Sequence, residues 1–237
     1  MIDDIIDKLL LNKYVRSILK LIFSLCIYLV MPGGISLLFN SIINYNNLNG
    51  FITQLLGILS YIITLLLIVL VYRKTLIRDY KIFTDNKTNV LSTSIKYWIT
   101  GFIVMLTSNI IISNICGMAG NEATNRDIIG TYPIYGVIVM VLIGPIIEEI
   151  IFRRSIRDMF KNIYFYSIIS ALLFASVHLV SDFSLIKCLY LIPYGALGYA
   201  FAYTYYKTDT IYSSILMHCL HNALVVFSVL FTTLAGV

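Results

Sequence analysis

Two adjacent carboxylates, Glu148 and Glu149, stand in the run GPIIEEIIFRR at residues 144–154, which is otherwise apolar until its closing arginines. The other acidic residues, among them Asp3, Asp4, Asp7, Asp79 and Asp158, fall in polar stretches or near the ends of apolar ones. All three histidines, His178, His218 and His221, also sit in apolar runs. A charge at the centre of a bilayer costs about 2.5–3.5 kcal/mol on insertion scales, so such residues are read first as functional. A carboxylate in a water-poor site can act as general base or acid. Imidazoles and a carboxamide such as Asn222 can donate to a developing oxyanion. His178, His218 and Glu148 also suit zinc or another divalent metal, while a metal-free route needs only the carboxylate. Both routes activate water against a carbonyl, which is peptide-bond hydrolysis. A serine-nucleophile motif G-x-S-x-G is absent, and Cys219 lies beside His218 at i,i+1, pointing elsewhere on a helix.

Spacing within each helix sorts these groups. Glu148 and Glu149 point about 100° apart on a helix, so they have different roles. Glu149 and Arg153 are i,i+4 with the acid first, the better order for a pair. One glutamate can therefore pair with Arg153 while the other faces a cavity. His218 and Asn222 are i,i+4 on one face, and His221 lies off it as a structural hydrogen-bonder between helices. Arg154, Arg157 and Lys161 read as membrane anchors. Pro145 bends its helix and frees a carbonyl just before the glutamates.

Depth is consistent with a meeting. If the chain turns near residues 161–164, Glu148 precedes the turn by 13 residues and His178 follows it by 14. Both then lie roughly 20 Å from the turn. Asn222, 12 residues beyond Thr210, reaches about 18 Å. Groups on three helices converge on one level, with Glu148 expected to face His178.

The elements that carry them must be membrane helices. Of 237 residues, 59% are apolar and 12% charged, with a mean hydropathy of +0.88. That excludes an ordinary soluble domain. The expected fold is all-α, a polytopic transmembrane helical bundle of about seven to eight helices. Spans of roughly 20 residues are expected at 17–39, 51–72, 97–118, 133–160, 163–182, 185–206 and 210–234. A break at Pro32-Gly33-Gly34 would supply an eighth element. Residues 1–132 form an N-terminal set of helices with one polar loop at 73–96, and residues 133–234 form the catalytic core. The first apolar run follows Lys13, Arg16 and Lys20 without a small-residue cleavage site, which marks a retained signal anchor. With the N-terminus cytoplasmic, every lysine and arginine except Arg126 and Lys187 falls on the inner side. The net charge of +5 follows from that asymmetry and implies no nucleic-acid partner. Four cysteines, Cys26, Cys116, Cys188 and Cys219, are scattered singly in apolar runs and read as small buried hydrophobes.

Three motifs in order carry a resemblance. Glu148-Glu149-Ile150-Ile151-Phe152-Arg153 matches E-E-x-x-x-R, Phe174-Ala175-Ser176-Val177-His178 matches F-x-x-x-H, and His218-Cys219-Leu220-His221-Asn222 matches H-x-x-x-N. Together they resemble the CPBP intramembrane metalloproteases, the CAAX-protease and bacteriocin-processing (Abi) family, over about residues 133–234. The segment Pro193–Tyr199 and the run leading to His218 look like that family's connecting segment. The resemblance implies that Glu148 activates the attacking water and that Glu149 assists or pairs with Arg153. It implies that His178 positions water or binds metal, and that His218 and Asn222 stabilise the oxyanion. The implied protein is an intramembrane endopeptidase of a bacterial plasma membrane. Its substrates are small membrane-associated peptides or proteins, in bacteriocin or pheromone processing or self-immunity. The alternative is a non-catalytic membrane scaffold or bacteriocin-immunity partner. A proton or ion pathway ranks last, because inverted repeats and paired broken helices are absent.

Overall fold

The computed structural model describes residues 12–43 and 49–235, so Asp3, Asp4, Asp7 and Lys8 lie outside the described residues. Eight helices account for the fold. They are α1 (Lys13–Ile43), α2 (Gly50–Asp85), α3 (Lys87–Cys116), α4 (Gly120–Thr131), α5 (Pro133–Arg157), α6 (Ile163–His178), α7 (Leu191–Thr208) and α8 (Tyr212–Ala235). Two short 3₁₀ turns, Val180–Asp182 and Ile186–Tyr190, join α6 to α7. The chain is an all-α helical bundle and an integral membrane protein. In hydrocarbon every backbone polar group must find its partner internally, which a helix achieves by itself.

Among the described residues five helices are long and apolar enough to cross a bilayer: α1, α2, α3, α5 and α8. The span expected at 163–182 is an α-helix only to His178, and the one expected at 185–206 is met by the 3₁₀ turn Ile186–Tyr190 running directly into α7. α6 has 16 residues and α7 has 18, about 24 and 27 Å against a hydrocarbon core of about 30 Å. The eighth element also differs from expectation. Helix α1 runs on through Pro32-Gly33-Gly34, and the extra helix is α4, polar and between spans.

Local chemistry sets the ends. Asn49 caps α2 by accepting from the Ile52 N–H at 2.9 Å. Asn162 caps α6, accepting from Tyr164 N at 2.9 Å and Phe165 N at 3.1 Å. α7 stops at Asp209, whose φ of 52° is left-handed. The start of α8 is held from outside itself. Buried Asp79 of α2 accepts from the Ile211 N–H at 2.9 Å through Oδ2, and its carbonyl accepts from Thr210 Oγ1 at 2.8 Å.

Small residues bring the central helices together. α7 packs between α3 and α6. A Cβ at Gly101 of α3 would come within 2.6 Å of the Ala200 Cβ, and one at Gly198 within 3.1 Å of the Ala171 Cα. Without a hydrophobic drive between helices in lipid, such close backbone approach supplies the dispersion contacts that hold them. The largest core cluster gathers Ile68, Val71, Ile147, Ile150, Ile151, Phe152, Tyr166 and Tyr205 around α5. α1 stays peripheral, burying only Ser17, Ser24, Ile27 and Ile35.

Candidate active site

Helix α5 is not uniformly α. Residues Gly136–Ile143 and Ile150–Arg154 are π-helical, flanking an α segment, Gly144–Glu149. The first π stretch follows from Pro145. The Gly144 N–H reaches the Val139 carbonyl, five residues back. In that register the Met140 carbonyl would accept from residue 145, but proline has no N–H. Asn222 fills the gap, donating its Nδ2–H to the Met140 carbonyl at 2.8 Å. The expected freed carbonyl is therefore present, and it ties α8 to α5. Short π segments of this kind occur often at functional sites.

One turn further on, the two glutamates diverge as their 100° offset requires. Glu149 is fully buried. Its Oε1 accepts from His218 Nδ1 at 2.9 Å, and its Oε2 lies 3.1 Å from Arg153 Nε, also fully buried. The Arg153 contact is ionic, its angle too bent for a hydrogen bond. Arg153 is fixed further by Nη1 donating to Ser170 Oγ at 3.3 Å, by Ser170 donating to the Phe152 carbonyl at 2.7 Å, and by Phe174, whose ring centre is 4.7 Å from the guanidinium. Such a pair resists removal of either member, because the survivor is a buried uncompensated charge.

Glu148 keeps 15% of its side chain exposed. Its Oε1 accepts from the Tyr28 hydroxyl at 2.9 Å, and its Oε2 lies 3.7 Å from His218 Nε2. The close partners of Glu148 are thus Tyr28 and His218, and His178 lies within electrostatic reach of it. His218 stands between both carboxylates, stacked on Phe201 with centroids 5.0 Å apart. His178, the last residue of α6, donates Nδ1–H to the Phe174 carbonyl at 2.8 Å, which leaves Nε2 as an acceptor. Phe174 is the common neighbour, its ring 4.3 Å from His178 and 5.7 Å from His218.

The structure thus brings Glu148, Glu149, Arg153 and His218 into direct contact, with His178 one ring away. Asn222 touches the helix that carries the glutamates rather than the glutamates themselves. His221 points elsewhere, against Phe102 at 5.8 Å. Tyr28 escaped the sequence reading. It is one of 18 tyrosines, in an apolar stretch of a helix without motif, and nothing in its spacing marks it. Only the packing of α1 against the end of α5 brings it to Glu148.

The metal set fits poorly. Among the described residues no cluster of three or more His, Cys, Asp or Glu side chains could hold a metal ion. The bonds of Glu148 Oε1 to Tyr28, His218 Nδ1 to Glu149 and His178 Nδ1 to the Phe174 carbonyl leave Glu148 Oε2 and both Nε2 atoms without a hydrogen bond among the described residues. No reaction step below passes through a metal.

Comparison with known proteins identifies the family. A family model described as type II CAAX prenyl endopeptidase Rce1-like matches residues 130–224, which includes both glutamates, His178, His218 and Asn222. A curated Bacillus subtilis (strain 168) protein, described as "Putative membrane peptidase YdiL", is 30% identical over 181 residues, covering 72% of this chain and 69% of that protein. No solved structure matches.

Proposed function

The chain belongs to the CPBP family of CAAX-type membrane proteases, and we propose that it is an intramembrane endopeptidase that cleaves small membrane-associated peptides or proteins with a glutamate-activated water. The observation that carries this reading is the series Arg153–Glu149–His218–Glu148, in which one carboxylate is sealed and the other is accessible beside an imidazole edge. A general base needs a free lone pair and access to water. Glu148 has both, and Glu149 has neither.

In the proposed reaction Glu148 takes a proton from a water held between its Oε2 and His218 Nε2. The water oxygen bonds to the scissile carbonyl carbon, and the carbonyl π pair moves onto oxygen. His218 donates to that oxyanion through Nε2–H. As the C–N bond breaks, Glu148 returns the proton to the leaving nitrogen. Glu149 fixes the orientation of the His218 ring, as a buried carboxylate does for a neighbouring imidazole. His178 Nε2 accepts a hydrogen bond from the water before attack. Asn222 keeps a second amide N–H, which we assign to the oxyanion, while its first holds α8 to α5. The metal-free route is the one these contacts support.

The distribution of basic residues puts the N-terminus in the cytoplasm, and a bacterial plasma membrane is the setting we assign. Bacteriocin or pheromone precursors, or self-immunity to a bacteriocin, are the substrates and roles that fit. The deciding experiment compares peptide processing in a deletion strain complemented by wild type or by Glu148→Gln. Loss of processing at equal membrane abundance supports catalysis. Full function of Glu148→Gln, His178→Ala and His218→Ala overturns it and leaves a scaffold or immunity partner.

A further inference from the structure

A second concentration of charge lies beyond the C-terminal end of α5, away from Glu148. A cavity of about 420 Å³ there is lined by Lys13 and Arg16 of α1, by Arg157, Asp158 and Lys161 at and beyond the end of α5, and by Tyr206 of α7. Among the described residues of its lining, Lys13, Arg157 and Lys161 join Arg16 around one carboxylate, Asp158, whose Oδ2 accepts from Arg154 Nη2 at 2.9 Å. The walls are fixed. The Arg157 guanidinium lies 3.7 Å from the Tyr206 ring centre and 5.7 Å from that of Tyr166. The Tyr206 hydroxyl in turn donates to the Lys161 carbonyl. Arg157 Nε is buried and has no hydrogen-bond partner among the described residues.

Cations that only anchor a helix end extend separately to water. Here side chains from two helices far apart in sequence surround one hollow, where like charges repel. An anion in the hollow reverses that repulsion. We propose that this cavity binds the phosphate of an anionic phospholipid headgroup, with Arg157 and Lys161 as its main ligands. A guanidinium fork matches phosphate oxygens in paired hydrogen bonds, and an ammonium adds a point charge. The basic-residue distribution puts this end in the inner leaflet, where basic pockets between membrane helices take up such headgroups. The neighbouring face of α1 suits the acyl chains. Val15, Ile18, Leu19 and Ile22 are all exposed, at i, i+3, i+4 and i+7, and run from the cations toward mid-membrane. That stripe favours a lipid over a soluble phosphate.

The test places the full chain in nanodiscs of phosphatidylcholine, with and without a minority of phosphatidylglycerol. Native mass spectrometry reads retained phosphatidylglycerol, and thermal unfolding reads stabilisation. Wild type should retain the anionic lipid and melt higher in its presence. Arg157→Gln with Lys161→Gln should bind it about tenfold or more weakly, while Arg126→Gln, on the opposite side, should not change. If the double variant does not fold, Lys161→Gln alone and Arg157→Lys, which keeps the charge but loses the fork, should each still weaken retention. Unchanged retention in the folded variants overturns the site. If inorganic phosphate in plain phosphatidylcholine discs stabilises wild type as much as phosphatidylglycerol does, the ligand is a free phosphate and the lipid assignment is overturned.

Discussion

At the scale of the residue, adjacency is what separates the two glutamates. A helix turns adjacent side chains apart, so Glu149 is sealed against Arg153 and His218 while Glu148 faces Tyr28 and the His218 edge. Glu148→Gln should therefore leave the melting temperature unchanged and lower turnover by about 10²–10⁴-fold, the range of general acid–base catalysis. A purified-enzyme peptide assay beside a melting curve checks both halves. Arg153→Met should act in the opposite sense. It strands the Glu149 charge in the core and should cost about 3–5 kcal/mol of stability, seen as lost folded protein before any assay of activity. Tyr28→Phe removes one hydrogen bond from the base and no packing volume. It should shift the pH–rate profile while unfolding stays as in wild type. Glu149, Arg153 and their pairing are legible from i,i+4 spacing. The Tyr28 bond is not, because a tyrosine in an apolar run looks the same whether it meets lipid or a carboxylate.

At the scale of the element, the helices that present the site are held by single contacts at their ends. α8 carries His218 and Asn222, and its first turn depends on Asp79, more than 130 residues earlier in the chain. Asp79→Ala leaves the Ile211 N–H unpaired and should cost about 1–2 kcal/mol, as loss of a helix cap does. Turnover should fall with it, because His218 shifts with its helix. Asp79→Asn keeps a carbonyl oxygen for Ile211 and should recover most of both. Equal turnover in Asp79→Ala and wild type, with Asp79→Asn no different, would remove this residue from the positioning of α8. Asp79 reads from sequence as one acidic residue of a polar loop, and its capping of a distant helix is a tertiary fact. Pro145 is a partial success of the same kind. Its missing donor predicts a freed carbonyl, but the register shift to π and the choice of Asn222 as the replacement donor depend on where α8 packs.

At the scale of the whole molecule, the charge asymmetry makes a directional claim. With the native cysteines replaced by serine, a single cysteine at Arg126 should react with a membrane-impermeant thiol reagent added to intact cells, and one at Asp85 only after lysis. The reverse pattern would invert the topology, the leaflet of the basic cavity included. The two short helices matter at this scale as well. α6 and α7 are surrounded by longer neighbours, and α6 ends at His178 itself. α6 thus places His178 where its α-helix gives way to the 3₁₀ turn Val180–Asp182.

Membrane residence, the all-α class and the Glu149–Arg153 pair are legible in the chain alone, as is the expectation that Glu148, His178 and Asn222 share one depth. Each follows from a local regularity: apolar length, helical period, or the energetic oddity of charge in hydrocarbon. The partner of Glu148, the length of α6 and α7, the identity of the eighth helix and the clustering of Arg157 with Lys13 and Lys161 belong to the tertiary structure. They depend on which faces of distant helices meet, and close packing through small residues such as Gly101 and Gly198 decides that. No single helix encodes it, because in lipid an apolar face is equally at home against tails or against a neighbour.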